Sequence, residues 1–444
     1  MNDFQLQEQR KTQQISEKYK NLNPERFISN QNNKFKSIIE GGNNVLFGKM
    51  RINKFQNFSE FDKNDFIGNK IILNNNNKEK EVDINEKINN LINSYKNQLD
   101  TKYKEERKII LKISENEDYS HYISLFQCFA NLHDLLLYLQ KNIDLLNNPE
   151  KFPFSFSFFR IIYHLYNNNN NSENNPNKDI ISFIKVIGRF YPFLNKNKNP
   201  IDLFSILIND LHNELNQFQK YNNTNCFSGK KVDKRNAYEV INYAITNFNQ
   251  NNATIISKFF TLFCKREIKC IKCKNIYYEL QNFISFDIDP INSYKKYKKN
   301  NLTINDCLTY YLSPSTEKVI CSLCNKLCKL SIQKKIYSPP SNLVLVINRN
   351  NEEEEKELLD IKIKYEEILD ISYFIDKKVD FKAQYILISV VALLYDKNKF
   401  VSFCKKIFHN NEWECFDDES IKECNYDYMV NNSSPYILFY KKLD

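Results

Sequence analysis

Cys270-Ile-Lys-Cys273 and Cys321-Ser-Leu-Cys324 are the two stretches on which the reading of this chain turns. Two thiolates separated by two residues sit on one tight turn and can face the same cation. Two such turns complete a tetrahedral Cys₄ set, the usual structural zinc arrangement. Residues 274–320 between them number 47, whereas a compact zinc ribbon leaves about 15–20. The turns therefore belong to separate hairpins that the fold brings together. One structural zinc ion is expected, held by Cys270, Cys273, Cys321 and Cys324, with Cys328 as a substitute ligand. Cys128, Cys226, Cys264, Cys307, Cys404, Cys415 and Cys424 have no such pairing and read as ordinary, mostly buried residues.

Outward from the quartet, the texture is that of strands. Short runs rich in Ile, Val, Tyr and Phe, split by polar turns, begin near residue 255: IISKFF, NIYYEL, FISFDIDPI, SIQKKIY, NLVLVINR, QYILISVVALLY, KFVSFCKKIF, EWECF and PYILFYKK. The first half has helical spacing instead. Ile84, Ile88, Leu91, Ile92, Tyr95 and Leu99 recur on one face, with Asp83 and Glu86 in the form of a capping box. Residues 120–145 and 201–218 carry further apolar helical patterns. Helices followed by strands make an α+β fold. Asn167–Asn171, continuing to Asn177, is a low-complexity insertion, and Glu352–Glu355 marks a surface loop.

The chain has 444 residues and a net charge of +9, from 63 Lys+Arg against 54 Asp+Glu. The excess is scattered. Its densest cluster, Lys295, Lys296, Lys298 and Lys299, is short, so a solvated lysine-rich surface is expected and nucleic acid is not an expected partner. The polar start, MNDFQLQEQRKTQQ, is not a signal peptide. The apolar run Tyr385–Tyr395 is short against the ~20 residues a bilayer requires. Twelve cysteines without a secretory signal point to a reducing, intracellular compartment, cytoplasm and/or nucleus, and no membrane association is expected.

Beyond these patterns, a series of landmarks resembles the ubiquitin-specific protease family, the papain-like deubiquitinases built of thumb, palm and fingers. Asp202-Leu-Phe-Ser-Ile-Leu-Ile-Asn-Asp-Leu-His-Asn-Glu-Leu215 resembles the family's thumb helix, DAHEFLxxLLDxLHEEL. IISKFFTLFCKREIKCIKC, 255–273, resembles the strand entering the first finger knuckle, and 302–337 the segment around the second. PPSNLVLVINR, 339–349, resembles PxxLxIxLxRF, and YEEILDISYF, 365–374, resembles FPxxLDLSxY. The closing strands, 385–391, 400–403, 413–418 and 436–440, follow the family's His-box and terminal strands. The resemblance covers residues 110–444 in the family's order. It implies a polar, partly disordered N-terminal extension over 1–110 with a helix near 84–104. A papain-like domain would follow over 111–444, with an insertion near 167–177 and β fingers near 264–335.

The same resemblance locates the chemistry, and the chemistry is altered. A cysteine protease needs a thiolate, a histidine that takes its proton and a polar group that orients the imidazole. Anchoring the family's GNTCYMNSxLQ on Phe126-Gln127 puts Ser120 at the nucleophile position. Glu115 falls at the oxyanion-hole asparagine (a one-residue gap would restore Asn116) and Glu117 at the preceding glycine. The family's GHYxxY becomes Asn398-Lys-Phe-Val-Ser-Phe403, with Lys399 at the general-base position. Asp417, in Trp413-Glu-Cys-Phe-Asp-Asp418, retains the orienting acid. An unactivated serine is a poor nucleophile, and a lysine of ordinary pKa is protonated at pH 7. A Ser120–Lys399 dyad would need a buried lysine away from Asp417; beside it, an ion pair keeps the proton on Lys399. Cys226 superficially echoes the nucleophile motif but follows the thumb helix. His121 adjoins Ser120, yet neighbouring helix residues point about 100° apart.

The resemblance therefore implies a pseudo-deubiquitinase that binds ubiquitin or a ubiquitinated protein, or scaffolds a larger complex, without hydrolysing isopeptide bonds. Two alternatives stay open: an active cysteine deubiquitinase with a divergent site, and a scaffold that no longer binds ubiquitin.

Overall fold

The computed structural model describes residues 50–51, 77–104, 118–142, 150, 152–166, 176–195, 197–222, 237–299, 301–321, 324–348, 361–376, 383–409, 412–417 and 420–443. Most of the expected N-terminal extension, the asparagine run at 167–171, Cys226, Glu115–Glu117 and the acidic run at 352–355 lie outside them.

The helical half begins with α1 (Asn77–Gln98), which starts earlier than the pattern suggested. A central helix, α2 (Ser120–Ala130), follows, then α3 (His133–Lys141), α4 (Pro153–Tyr166), α5 (Pro176–Phe190) and α6 (Pro200–Asn222). Every residue of α2 is buried, so an amphipathic stripe is not enough; such a helix lies inside the domain. Phe126 and Phe129 meet Phe158 of α4 at ring distances of 5.5 and 5.2 Å, in tilted and edge-on arrangements. Burying each of these rings stabilises the fold by about 2–3 kcal/mol.

After α7 (Ala237–Asn251), the run IISKFF forms a helix, α8 (Ile255–Phe260), where β texture predicted a strand. The reason is local. Thr254 Oγ1 accepts from Ser257 N at 3.1 Å and Ser257 Oγ accepts from Thr254 N at 3.0 Å, a reciprocal cap that outweighs the β propensity of Ile and Phe.

Two sheets carry the second half. The finger sheet has β1 (Leu262–Cys270), β2 (Ile276–Phe283), β4 (Ser315–Ile320) and β5 (Leu327–Ser338) in the order β2-β1-β5-β4, all antiparallel. Between them lie β3 (Phe286–Ile288) and two helices, α9 (Pro290–Tyr297) and α10 (Ile304–Leu312). The palm sheet adds β6 (Asn342–Ile347), β7 (Ile368–Asp370), β8 (Gln384–Leu394), β9 (Phe400–Lys405), β10 (Trp413–Phe416), β11 (Ile421–Cys424) and β12 (Ser433–Leu443). Its order is β11-β10-β9-β8-β12-β6-β3, with β7 also on β8. β8 and β12 are near-continuous apolar runs because both faces are covered.

Helix α2 is fastened to this sheet at a β-bulge. The β8–β12 register shifts between Leu387 and Ser389, which takes Ile388 out of the ladder. Asn131, capping α2, donates Nδ2 to Ile388 O at 2.8 Å and reaches Ser389 Oγ and Lys405 O at 3.2 and 3.3 Å. Beside it, buried Asp134 accepts from Lys441 Nζ (2.7 Å), Asn342 Nδ2 (2.7 Å) and Tyr95 OH (2.8 Å). This network ties α1, α3, β6 and β12 together. Among the described residues no helix is long and apolar enough to cross a membrane.

Candidate metal centre and candidate active site

The finger turns are near-copies of each other. In the first, Cys270 N donates to Asn275 O at 3.0 Å and Lys274 N to Cys270 O at 2.9 Å. In the second, Cys321 N donates to Lys326 O at 2.9 Å and Asn325 N to Cys321 O at 2.8 Å. Both turns close on a left-handed residue at the same place, Lys274 (φ 62°) and Asn325 (φ 50°). Asparagine tolerates that region; lysine enters it at a cost of about 1 kcal/mol or more.

These turns bring Cys270, Cys273, Cys321 and Cys324 together, with all four Sγ atoms within 4.8 Å of one another. Cys273 and Cys321 are 3.9 Å apart, matching the roughly 3.8 Å between ligands of a tetrahedron with ~2.3 Å zinc–sulfur bonds. Ile268, Leu330 and Ile332 pack in the same buried cluster as the thiols. The donor set fits one zinc ion, and the pairing is the one expected from sequence.

The other expected constellation lies where α2 meets β9. Ser120 is the first residue of α2 and is buried. Its Oγ accepts from Phe400 N at 3.2 Å, so it sits against the backbone next to Lys399. Its backbone N donates to Asp118 Oδ1 at 3.0 Å, which sets that carboxylate beside the Ser120 side chain. Asp118 thus serves as the cap that Tyr119 does not supply. Lys198 Nζ approaches Asp118 Oδ2 at 3.5 Å. Burial pushes the Asp118 carboxyl up, but hydrogen bonding from Ser120 and the Lys198 charge outweigh it and hold it below its ordinary value. Asp118 was missed in the sequence; its place two residues before a helix start is the available signal.

Lys399 is half-buried, and its carbonyl accepts from Leu394 N at 3.0 Å across a turn closed by left-handed Asn398 (φ 51°). The sequence made Lys399 the partner of Asp417. The structure places Lys397 there, with Nζ 2.5 Å from Asp417 Oδ2. Asp417 itself is buried, and its N donates to Ser420 O at 3.0 Å. Ser120, Phe400 and Lys399 are therefore neighbours, and the strand that Asp417 directly follows is β9's own partner.

No described cysteine adds a thiolate here. Cys404 Sγ donates to Gln127 O at 3.6 Å. Cys415, two residues before Asp417, has its thiol pushed up to about 12 by burial, with Cys424 and Asp417 adding to it. Among the histidines, His164 bonds Asp179 (2.7 Å), His212 bonds Thr254 (2.8 Å), His133 packs on Tyr95 and Phe408, and His409 is exposed. His121 is buried with neither ring nitrogen partnered among the described residues, and burial lowers it to about 4.

Comparison with known proteins agrees with this geometry. The family model described as ubiquitin carboxyl-terminal hydrolase matches residues 115–440. The chain belongs to the ubiquitin carboxyl-terminal hydrolase family. Among solved structures it is similar to a chain of the SAGA DUB module Ubp8/Sgf11/Sus1/Sgf73 bound to monoubiquitin. That chain is 19% identical, with 76% of this chain and 70% of the other covered and a TM-score of 0.56. The same module bound to ubiquitin aldehyde gives 18%, 76%, 70% and 0.57. The yeast SAGA DUB module with an Sgf73 mutant gives 17%, 76%, 69% and 0.54. At these identities the likeness is one of fold. No curated protein matches the sequence.

Proposed function

We propose that this chain is a pseudo-deubiquitinase: it binds ubiquitin or a ubiquitinated protein, within a larger assembly, and does not hydrolyse the bond. Ser120, Lys399 and Asp417 stand at the nucleophile, base and orienting positions. The observation that carries the reading is the state of the Ser120 hydroxyl. It accepts from Phe400 N and lies beside Asp118, a carboxylate whose proton affinity is already reduced. A carboxylate of depressed pKa is a weak base toward an alcohol. Its charge also lies beside the helix N-terminus, where an oxyanion would need donors instead. Lys397 holds Asp417 at 2.5 Å, so the orienting acid is spent on a lysine.

The retained parts support binding. The solved modules to which this chain is similar include forms bound to monoubiquitin and ubiquitin aldehyde. Calorimetric titration with monoubiquitin, run beside cleavage of a fluorogenic ubiquitin conjugate, tests the proposal. The expected result is binding near micromolar, about −8 kcal/mol, with no turnover. Turnover would establish the divergent enzyme. Neither binding nor turnover would leave a scaffold that has lost ubiquitin.

A further inference from the structure

The finger sheet treats its two edges differently. Along β2 the outer edge is taken by this chain itself: Met50 and Arg51 pair antiparallel with Leu280 and Glu279. The opposite edge is β4, which pairs with β5 on one side and with no strand on the other among the described residues. All 6 of its residues, Ser315–Ile320, are exposed. Such an edge, with its outward N–H and C=O groups open to solvent, is a template for another strand.

The register says what is presented beside that edge. Cys328 and Leu330 of β5 are buried, so Leu327 and Lys329 point to the opposite, open face. Ile320 is paired with Leu327 and Lys318 with Lys329, so all four share that face. Ile320 and Leu327, 68% and 62% exposed, are the two most exposed aliphatic side chains among the described residues. Exposed Ile271 joins them at the same end, its N donating to Lys329 O at 3.1 Å. Directly opposed lysines destabilise a sheet. The one acid of β4, Glu317, does not relieve them, because it lies on the other face with Oε1 3.4 Å from Arg266 Nη2. Edge lysines can serve merely to ward off other chains, but two bare aliphatics at the same end undo that role. Exposed Lys269, Lys272 and Lys326 add to the same charge. A second copy of this face would set lysine against lysine. The surface fits an acidic strand with apolar residues in it.

We infer that the open edge of β4 docks an extended acidic segment of a partner protein. The segment pairs backbone to backbone with Ser315–Ile320, as a further strand of the finger sheet. Its alternate side chains then lie on the face of Lys318 and Ile320, an acidic one beside Lys318 and an apolar one beside Ile320. Backbone bonds supply attachment, and the lysine pair selects by charge. Ser120, Lys399 and Asp417 take no part.

The test uses the zinc-loaded full chain and a short synthetic peptide alternating glutamate and valine. Hydrogen exchange should slow at Ser315–Ile320 when this peptide is added. A fully N-methylated version, and one with lysine in place of glutamate, should each bind at least about tenfold more weakly by fluorescence anisotropy. Lys318→Glu should reverse the preference, taking the lysine peptide over the glutamate one. It should unfold no more readily than the wild type, because it ends the like-charge pair. The peptide comparisons need no variant and decide alone should Lys318→Glu misfold. No binding of the glutamate peptide, equal binding of the N-methylated or lysine peptide, or an unreversed preference in Lys318→Glu would overturn the inference. Slowed exchange at Ser315–Ile320 on adding monoubiquitin would also overturn it, by giving this edge to ubiquitin. The same slowing on concentrating the chain alone would give the edge to a second copy, and would overturn it too.

Discussion

The finger knuckles and the α2–β9 junction are both places where two distant segments meet, and they have fared differently. At the fingers, residues 270–275 and 321–326 keep the same pair of backbone bonds, the same left-handed closing residue and the same two thiols. At the junction the backbone frame is kept, since Ser120 still opens α2 against Phe400 and Asp417 still follows β10. On the proposed reading, the groups that would do chemistry there differ from those a cysteine protease needs. A metal turn that loses one thiol loses its folding energy, whereas a catalytic serine or lysine can change without harm to the core. The comparison therefore separates what stability requires from what turnover requires.

Substitutions at both places sharpen that contrast. The largest effect should come from Cys321→Ser, which removes a buried thiol of the quartet. It should abolish the one-to-one metal content and melt the finger sheet, since structural zinc binding in small domains is worth about 10 kcal/mol or more. Metal analysis and a thermal melt read both.

Next is the frame under the junction. Lys441→Met leaves the Asp134 carboxylate buried without its cation and should cost about 3–5 kcal/mol in a denaturant titration. Burial pushes Asp134 up, but Lys441, Asn342 and Tyr95 hold it below its ordinary value. Its contribution is thus complete above the unfolded value of about 4 and is lost as pH falls through the lower folded one. The wild type should lose this stability on acidification, and Lys441→Met should show much less of that loss. Asp210 on α6 has the opposite sign. Burial raises it to about 6, against one bond from Tyr191, with Glu214 raising it further. The folded form holds the extra proton, so Asp210 stabilises below about pH 4 and that stability is lost as pH rises through about 6, a change of order 2 kcal/mol. Asp210→Asn should flatten that limb of the pH–stability curve.

The smallest effect belongs to the site itself. Ser120→Ala removes one buried hydroxyl and should cost about 1 kcal/mol, with ubiquitin affinity unchanged. Ser120→Cys with Lys399→His should still not turn over, because Asp118 faces the new thiol and opposes its ionisation. Turnover in that double variant would show that Asp118 is no obstacle and that two residues alone separate this chain from an enzyme.

The knuckles were legible from sequence because their ligands are covalently spaced; Cys-x-x-Cys fixes its own geometry. The palm strands were legible from long apolar runs, Tyr385 to Tyr395 above all. IISKFF was not, because the cap formed by Thr254 and Ser257 acts over four residues and hides inside a β-like composition. At the junction the sequence placed Ser120 beside the Lys399 strand but did not foresee Lys397 as a partner of Asp417. A tight turn swings Lys397 across, and which side chain a turn points inward is set by Asn398's left-handed backbone, not by composition. Asp118 and Asn131 act across 80 and 257 residues of chain, separations that no local pattern encodes.

Helix α1 begins well ahead of residue 115, yet it is bonded to β8 through Lys87 to Gln384 and to α3 through Tyr95 to Asp134. In mechanical terms, it is where tension on the preceding segment enters the domain. Such a pull should reach these contacts of α1 first, which force spectroscopy would register as a step before the main rupture. Only then does it load β12, whose removal would shear two ladders at once. The expectation is a helix in series with the sheet that yields before the palm is disturbed; a single rupture taking α1 and β12 together would refute it.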